Sequence, residues 1–262
     1  MTRHFTDMIG RGITIDFPPR RIISLVPSQT ELLYDLGLDD EVMGITKFCV
    51  HPQSWFRNKK RVGGTKTVYL DIIEKLQPDL IIANKEENTK EQVDELAAHY
   101  PVWISNIQTI SEGLQMIREV GTITGRGMQA ATLADEITQK FSALPKSPVP
   151  RKVAYFIWRK PWMCAGGDTF ISNMIATMGW ENVLAGRLRY PQIELEELKD
   201  KGVELILLSS EPYPFKDAHI AEINTVLPHA RVMLVDGEMF SWYGSRLVKA
   251  VQYMFQLQPQ LN

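Results

Sequence analysis

Aromatic side chains stand beside cationic ones in several polar segments that follow apolar runs. Six rings occupy such segments: Phe48, Trp158, Trp162, Tyr190, Trp242 and Tyr243. A ring in a polar loop next to Arg, Lys or Gly often faces a ligand. Rings with nearby cations, here Lys66, Arg159 and Lys160, suit a planar or polycyclic anionic ligand. We add Glu238 to this candidate ligand-binding set.

Thiol and imidazole groups are too sparse for a familiar metal pattern. Cys49 and His51 are two positions apart, and Cys164 is far along the chain. Protein zinc sites need three or four ligands, so we expect two small buried thiols and a surface histidine, and no metal site. A redox pair of Cys49 with Cys164 stays open. So does a metal-dependent or enzymatic site built from Cys49, His51 and Glu238.

Catalytic motifs are missing from the chain. It has no Gly-x-Ser-x-Gly, no phosphate-binding loop and no Gly-x-Gly-x-x-Gly that opens a helix after a strand. Gly166-Gly167 precedes a predicted helix, and a tight turn explains it better than a phosphate site. The sequence therefore favours a protein that is not an enzyme and carries no cofactor.

Alternating strands and helices would position these loops. The strands are predicted at 21–26, 42–45, 79–83, 102–104, 153–157, 205–208 and 232–235, and the helices at 31–36, 70–76, 89–99, 169–178 and 245–255. Ser28 and Glu31 have the spacing of a capping box at the first helix. Such alternation predicts an α/β fold in which helices cover parallel sheets.

One stretch breaks the alternation. Residues 111–144 show no strand signal, and their apolar positions recur with a period near 3.5. We expect one long helix between two Rossmann-like lobes, which gives an N-terminal lobe 1–110, a connecting helix 111–145 and a C-terminal lobe 146–262. Gly125 and Gly127 favour a break as the alternative. A helix folded back on itself would contradict the picture of a rod that holds two lobes apart.

The composition of the chain excludes several large classes of protein. Of the 262 residues, 29 are Lys or Arg and 31 are Asp or Glu, so there is no basic field for nucleic acid. Two cysteines cannot make a disulfide scaffold, and no apolar run approaches the roughly 20 residues of a membrane span. The first ten residues lack the apolar core of a signal peptide. We therefore expect a cytoplasmic protein or a chain from which the signal has been removed.

Several segments together resemble one known family. They are residues 6–11, 21–28 with Thr30 and Glu31, 62–65, 76–81 and 190–193, together with the predicted long helix over 111–144. In this order and spacing the chain resembles the class III, helical-backbone periplasmic binding proteins of ABC importers. That family includes vitamin B12-binding, ferric-siderophore and haem receptors. The resemblance implies a ligand cleft between two lobes and delivery of the ligand to a permease.

The resemblance also assigns roles to individual residues. One acid on each lobe would dock onto the permease, by position Asp71 and Glu196, although the family more often has Glu at the first. On helix position alone, both acids would merely stabilise a helix dipole. Phe48, Trp158 and Tyr190 look like the aromatic wall of the vitamin B12-binding members, and Trp162 and Trp242 are additions.

The cations and two further side chains complete the implied site. Lys66, Arg159 and Lys160 would meet the acidic groups of haem or a siderophore. Tyr243 or His51 would serve as an axial ligand to haem iron. The family implies a monomer in the periplasm, and a cytoplasmic corrinoid-handling protein with no permease partner stays as the alternative.

Overall fold

The computed structural model describes residues 1–258, which form two compact units. The N-terminal unit comprises Met1–Ile107, Ser111–Thr138 and the short segment Trp242–Arg246. The C-terminal unit comprises Gln108–Ile110, Gln139–Ser241 and residues 247–258 of the described chain. The predicted division into an N-terminal lobe 1–110, a connecting segment 111–145 and a C-terminal lobe 146–262 stays a prediction.

The N-terminal unit is built on a five-stranded parallel sheet. A hairpin of β1 (Thr2–Thr6) and β2 (Gly12–Asp16) precedes it. The sheet strands are β3 (Ile22–Ser24), β4 (Val42–Ile45), β5 (Lys60–Arg61), β6 (Leu80–Asn84) and β7 (Val102–Ser105), in the order β5-β4-β3-β6-β7. The helices are α1 (Pro27–Asp35), α2 (Gln53–Asn58), α3 (Leu70–Leu76) and α4 (Lys90–Ala97). Strands such as β6 are buried along their whole length because helices cover both faces of a parallel sheet.

The strand order places a switch point in this sheet. From β3 the chain proceeds to β4 and β5 on one side, whereas β6 and β7 lie on the other. The helices that follow β3 and β6 therefore leave the sheet in opposite directions, and a crevice opens at the carboxyl ends of these two strands. Ser24 ends β3 and Asn84 ends β6, so the loops after these residues line the edge where a ligand is expected.

The stretch predicted as one long helix is two helices, and that prediction is wrong. Helix α5 (Ile110–Ile123) ends before Gly125, whose φ of +74° is left-handed, and α6 (Gly127–Ser142) follows. The two helices pack on each other: a Cβ on Gly121 would overlap the Cβ of Ala130, and Arg118 Nη2 lies 2.8 Å from Asp135 Oδ1. Glycine at the left-handed turn and small side chains at the contact permit the fold-back.

The predicted capping box is also absent. Helix α1 begins at Pro27, four residues before the predicted start. Its N-cap residue is Val26, and no side chain makes a capping hydrogen bond at this end of the described helix. Proline suits the first turn because its missing N–H has no partner there anyway. Glu31 does not cap the helix, because its carboxylate accepts a hydrogen bond from Arg246.

The C-terminal unit has a second parallel sheet. Its strands are β8 (Lys152–Trp158), β9 (Met163–Cys164), β10 (Glu181–Asn182), β11 (Leu205–Ser209) and β12 (Arg231–Val235). The order is β10-β8-β11-β12, all parallel, with β9 antiparallel on β8. The helices are α7 (Phe170–Thr177), α8 (Glu197–Asp200), α9 (Asp217–Val226), α10 (Glu238–Ser241) and α11 (Leu247–Leu257).

The predicted fold class of parallel sheets covered by helices is confirmed in both units. One apolar core in the C-terminal unit gathers Phe156, Ile206 and Leu208 from the sheet with Ile223 from α9. Across residues 1–258, every helix is too short or too polar to span a lipid bilayer.

Candidate functional site

A buried polar network closes the carboxyl end of β3. Thr30 Oγ1 lies 2.7 Å from Ser24 Oγ and 3.1 Å from the sulfur of Cys49. Burial raises the pKa of the Cys49 thiol, and the neutral thiol is a poor nucleophile and a poor metal ligand. The expectation that Cys49 is a buried thiol is confirmed.

A second network fixes the loop after β6. The side-chain carbonyl of Asn84 accepts hydrogen bonds from the amides of Glu86 (2.8 Å) and Glu87 (3.1 Å), while its amide group donates to Ser105 Oγ at 3.0 Å. The side-chain carbonyl of Asn88 accepts a hydrogen bond from the backbone N–H of Asn84, and its side-chain amide donates to the backbone carbonyl of Thr65, both at 2.8 Å. The loop that carries Lys66 is therefore tied to the same edge of the sheet.

The segment Trp242–Arg246, here called the C-terminal clasp, lies inside the N-terminal unit. Arg246 Nε donates to Glu31 Oε2 at 2.7 Å, and the two side chains are only 5% and 6% exposed. The Tyr243 hydroxyl donates to Glu87 Oε1 at 2.9 Å. Desolvation first, and then the charge of Glu87, raises the pKa of Tyr243. The clasp is therefore held by a buried ion pair and a partly buried hydrogen bond.

Two of the predicted ligand-binding rings belong to this clasp. Trp242 packs against His51 with ring centroids 5.6 Å apart, and the Arg246 guanidinium lies 5.0 Å from the Trp242 ring centroid. Trp242 and Tyr243 are 7% and 6% exposed, so their rings serve packing within the unit. Their contact with ligand stays a prediction, as does the axial-ligand role of Tyr243 or His51.

Phe48 differs from the clasp rings because it is 50% exposed. Its ring lies beside Gly64, where an added Cβ would come within 3.2 Å of it, and Lys47 Nζ is 5.1 Å from the ring centroid. Lys66 is exposed two residues after Gly64. Phe48 and Lys66 therefore occupy neighbouring loops of the N-terminal unit, as a ring and a cation that solvent can reach.

In the C-terminal unit four rings form a continuous series, here called the aromatic row. Its members are Trp158, Tyr213, Phe215 and Trp162. Trp158 meets Tyr213 edge to face at 5.5 Å between centroids, and Tyr213 meets Phe215 at 4.8 Å. Phe215 stacks on Trp162 with an interplanar angle of 3°. Trp158 is 39% exposed, Tyr213 and Trp162 are half-buried against the core and Phe215 is buried, so the row is most accessible at Trp158.

The predicted cations of this unit surround the row. Arg159 makes a two-pronged salt bridge with Glu222 at 2.8 and 2.6 Å, and its guanidinium lies 5.2 Å from the Trp162 centroid. Lys160 is exposed. The Tyr190 loop runs beside β9, because the amide of Ile193 donates to the carbonyl of Trp162 at 3.0 Å. The structure thus brings Trp158, Arg159, Lys160 and Trp162 together, with the Tyr190 segment alongside.

Glu238 lies in a separate part of the same sheet edge. An open hollow of about 700 Å³ follows the ends of β11 and β12, and its lining includes Glu211, Asp236 and Glu238. Ser241 Oγ donates to Glu211 Oε1 at 2.9 Å, and the Glu238 amide donates to Asp236 Oδ1 at 3.1 Å. This acidic hollow does not share the cationic character of the aromatic row.

The two predicted docking acids are both exposed. Asp71 lies in the first turn of α3, where Lys75 Nζ is 3.7 Å away, and Glu196 immediately precedes α8. Their exposure permits contact with a partner, and their docking role stays a prediction.

A metal centre finds no support in residues 1–258, where no group of three or more His, Cys, Asp or Glu side chains could hold an ion. Cys164, like Cys49, is fully buried, and burial raises its pKa well above the usual thiol value.

Sequence reasoning missed three residues at these edges. The sequence predicts a helix-capping role for Glu31. In the structure its carboxylate pairs instead with Arg246, more than 200 positions away in the chain. Tyr213 and His219, which hydrogen-bond at 3.2 Å, were not selected. A signal existed for Tyr213, which follows a buried strand in a proline-rich loop like the rings that were chosen. Glu31 offered none, because pairing across such a separation depends on the fold.

Comparisons with known proteins agree with this architecture. A profile of the periplasmic binding protein family matches residues 22–226. A vitamin B12-binding protein of Photorhabdus laumondii is 26% identical over 93% of this chain and 88% of its own, and one of Vibrio campbellii is 27% identical over 73% and 71%.

Solved structures show the same fold. The periplasmic vitamin B12-binding protein of Vibrio cholerae superposes with a TM-score of 0.76 at 23% identity, covering 94% of this chain and all of the other. A periplasmic haem-binding protein from Roseiflexus sp. RS-1 gives a TM-score of 0.79 at 20% identity, with 90% and 98% coverage. The family match spans most of both sheets, including the segments that carry Phe48 and the aromatic row, so the chain belongs to the periplasmic binding protein family.

Proposed function

We propose that this protein is a non-catalytic receptor that binds a corrinoid, haem or ferric siderophore and delivers it to the permease of an ABC importer. The observation that carries the proposal is the aromatic row, whose outer ring, Trp158, is exposed beside Arg159 and Lys160. A partly solvated aromatic wall with cations suits a large, flat ligand that bears acidic groups.

The relatives support this choice of ligand class. Curated proteins that match most of the chain are named vitamin B12-binding proteins. Solved structures with the same fold include haem-binding proteins and a protein of an Fe³⁺-hydroxamate transport system. Their identities to this chain are too low to select one ligand, and we therefore propose the class.

Delivery would use the exposed acids. Asp71 on α3 and Glu196 before α8 are both open to a partner, and arginine side chains on a permease would suit them. We further propose that the protein acts in the periplasm, as its family name implies, and that it is a monomer. The expected cleft between the two lobes stays part of this proposal.

A direct titration tests the proposal. Cyanocobalamin, hemin and a ferric hydroxamate siderophore would each be added while tryptophan fluorescence is recorded. We expect at least one to bind with a Kd below about 10 μM, which corresponds to roughly −7 kcal/mol. Failure of all three to reach this affinity would contradict the proposal.

Variants locate the binding surface. Trp158→Ala should weaken binding about tenfold or more, because a ring stacked on the ligand is lost. Phe255→Ala is the matched control, since Phe255 is 40% exposed in the same unit but lies on α11, away from the row. Equal affinities for both variants would remove Trp158 from the site.

The alternative of a metal-dependent or enzymatic site gains nothing from the structure. Cys49, which it requires, is buried and hydrogen-bonded to two threonine hydroxyls. A cytoplasmic corrinoid-handling role would use the same ligand and the same rings. Cell fractionation separates that role from import, because an import receptor must be found in the periplasm.

A further inference from the structure

Tyr213 occupies the position next to the exposed ring of the aromatic row. Trp158 ends β8, and Tyr213 lies in the loop after β11, its neighbour in the parallel sheet. The carboxyl ends of neighbouring parallel strands share one edge, where open α/β sheets bind ligands. Tyr213 is half-buried, and its ring centroid is 5.5 Å from that of Trp158. A flat ligand placed on Trp158 would therefore reach Tyr213 next.

His219 fixes the ring of Tyr213. The histidine ring meets Tyr213 and Phe215 edge to face, at 5.5 and 5.4 Å between centroids. Its Nε2 lies 3.2 Å from the Tyr213 hydroxyl, and its Nδ1 accepts a hydrogen bond from the Lys216 amide at 2.9 Å. With Nδ1 accepting, the neutral ring carries its proton on Nε2 and donates it to Tyr213. One imidazole thus links the start of α9 to the aromatic row.

We propose that Tyr213 is a ligand-contacting residue that forms a two-ring platform with Trp158, and that His219 is the positioning residue that sets the angle of the Tyr213 ring. This inference rests on the proposed function, because it names residues of the same binding surface. It adds a ligand-contacting ring, Tyr213, and a positioning residue, His219, that neither the family match nor the sequence pattern assigns.

Affinity measurements on variants test both roles. With whichever of cyanocobalamin, hemin or the ferric hydroxamate binds the wild type, Tyr213→Ala should weaken binding about tenfold, as Trp158→Ala does. Tyr213→Phe keeps the ring and should change affinity less than about threefold. His219→Ala should weaken binding about threefold to tenfold, whereas the exposed His229→Ala, in the same unit, should leave it unchanged.

A conservative variant separates positioning from general stability. His219→Gln can still accept the Lys216 amide, since glutamine at this helix position reaches back to the N-cap amide. It should bind the ligand within about threefold of the wild type, because the anchor to the start of α9 is kept, whereas His219→Ala should not. Weakening by His219→Gln as large as that by His219→Ala would overturn the positioning role.

Chemical protection tests the contact without any substitution. Tetranitromethane nitration of the wild-type protein, read by mass spectrometry, should modify Tyr213 less when ligand is bound. Tyr34, which is 42% exposed in the N-terminal unit, is the control whose modification should not change. Unaltered nitration of Tyr213, or full affinity in Tyr213→Ala alongside weakened Trp158→Ala, overturns the inference and leaves the proposed function standing. Absence of binding by the wild type overturns both.

Discussion

The two units treat the same edge of a parallel sheet differently. At the carboxyl ends of β3 and β6, the N-terminal unit buries a hydrogen-bonded network and covers it with the C-terminal clasp. At the carboxyl ends of β8 and β11, the C-terminal unit presents the aromatic row, which reaches the surface at Trp158. One edge is fixed by buried polar contacts, and the other keeps apolar rings accessible.

The difference shows how to separate scaffold from binding surface. A buried polar group must be satisfied, so each member of the network constrains its neighbours and little room is left for a ligand. A ligand that covers an exposed ring replaces water and breaks no contact within the protein. Trp158 and Phe48 are therefore stronger candidates for ligand contact than Trp242 and Tyr243, although all four are aromatic residues in or beside loops.

The largest expected effect comes from breaking the buried ion pair between Arg246 of the clasp and Glu31. Glu31→Gln leaves the Arg246 cation buried without its carboxylate, and the free energy of unfolding should fall by about 3–5 kcal/mol. Glu222→Gln is the matched change at the other edge, where Arg159 and Glu222 are 20% and 38% exposed, and it should cost about 1 kcal/mol or less. Urea denaturation measures both. Equal losses would mean that the two edges do not differ as described.

A smaller effect is expected within the polar networks. Asn84→Ala removes the acceptor for two loop amides, so it should cost about 1–3 kcal/mol. Tyr155→Phe in the C-terminal unit removes one hydroxyl, 3.1 Å from Ser209 Oγ, and Ser209 keeps its contact with the Glu211 carbonyl. That change should cost only about 0.5–1.5 kcal/mol. Thermal unfolding with matched denaturant curves tests the ranking, and the reverse order would contradict it.

The smallest effect concerns carboxylates on the outer surface. Hydrogen bonding to the Glu194 amide, and then to Arg187, lowers the pKa of Glu197, and Lys90 lowers the pKa of Asp94. A carboxyl group with a lowered pKa in the folded state stabilises the fold above its unfolded pKa, and the contribution disappears as pH falls through the folded value.

The pH dependence of Tm in Glu197→Gln and Asp94→Asn measures this contribution. Each variant should melt slightly below the wild type at about pH 7, and the gap should close as the solution becomes more acidic than the usual carboxyl range, about pH 4. We expect the same behaviour in both units, because they differ at the loop edges and not on the outer surface. A gap that widens in acid would contradict the assigned direction.

Elements with a local signal were predictable from sequence, and contacts between distant segments were not. The bounds of β4 (Val42–Ile45) and α3 (Leu70–Leu76) match the prediction at both ends, since apolar periodicity and flanking turn residues specify them. The fold-back at Gly125 competed with a continuous periodicity over 111–144. Periodicity records which side of a helix is apolar, but it does not record whether that side packs on another helix or on its own continuation.

The candidate site divides in the same way. Exposed rings such as Phe48 and Trp158 were chosen by residue type and loop position, and the structure leaves them accessible. Trp242 and Tyr243 were chosen by the same rule but are buried, because Arg246 and Glu31 draw their segment into the N-terminal unit. The expectation that a folded-back helix would exclude the receptor fold was too strict, since the family match holds with two helices in this stretch.

The clasp has a consequence for biosynthesis. Residues 242–246 are synthesised about 100 residues after the rest of the N-terminal unit, yet they supply the guanidinium that neutralises a buried carboxylate in that unit. The N-terminal unit, although most of it is translated early, thus cannot reach its final state until residue 246 has left the ribosome. A premature stop codon just before Trp242 would therefore harm the opposite end of the chain as well as its own.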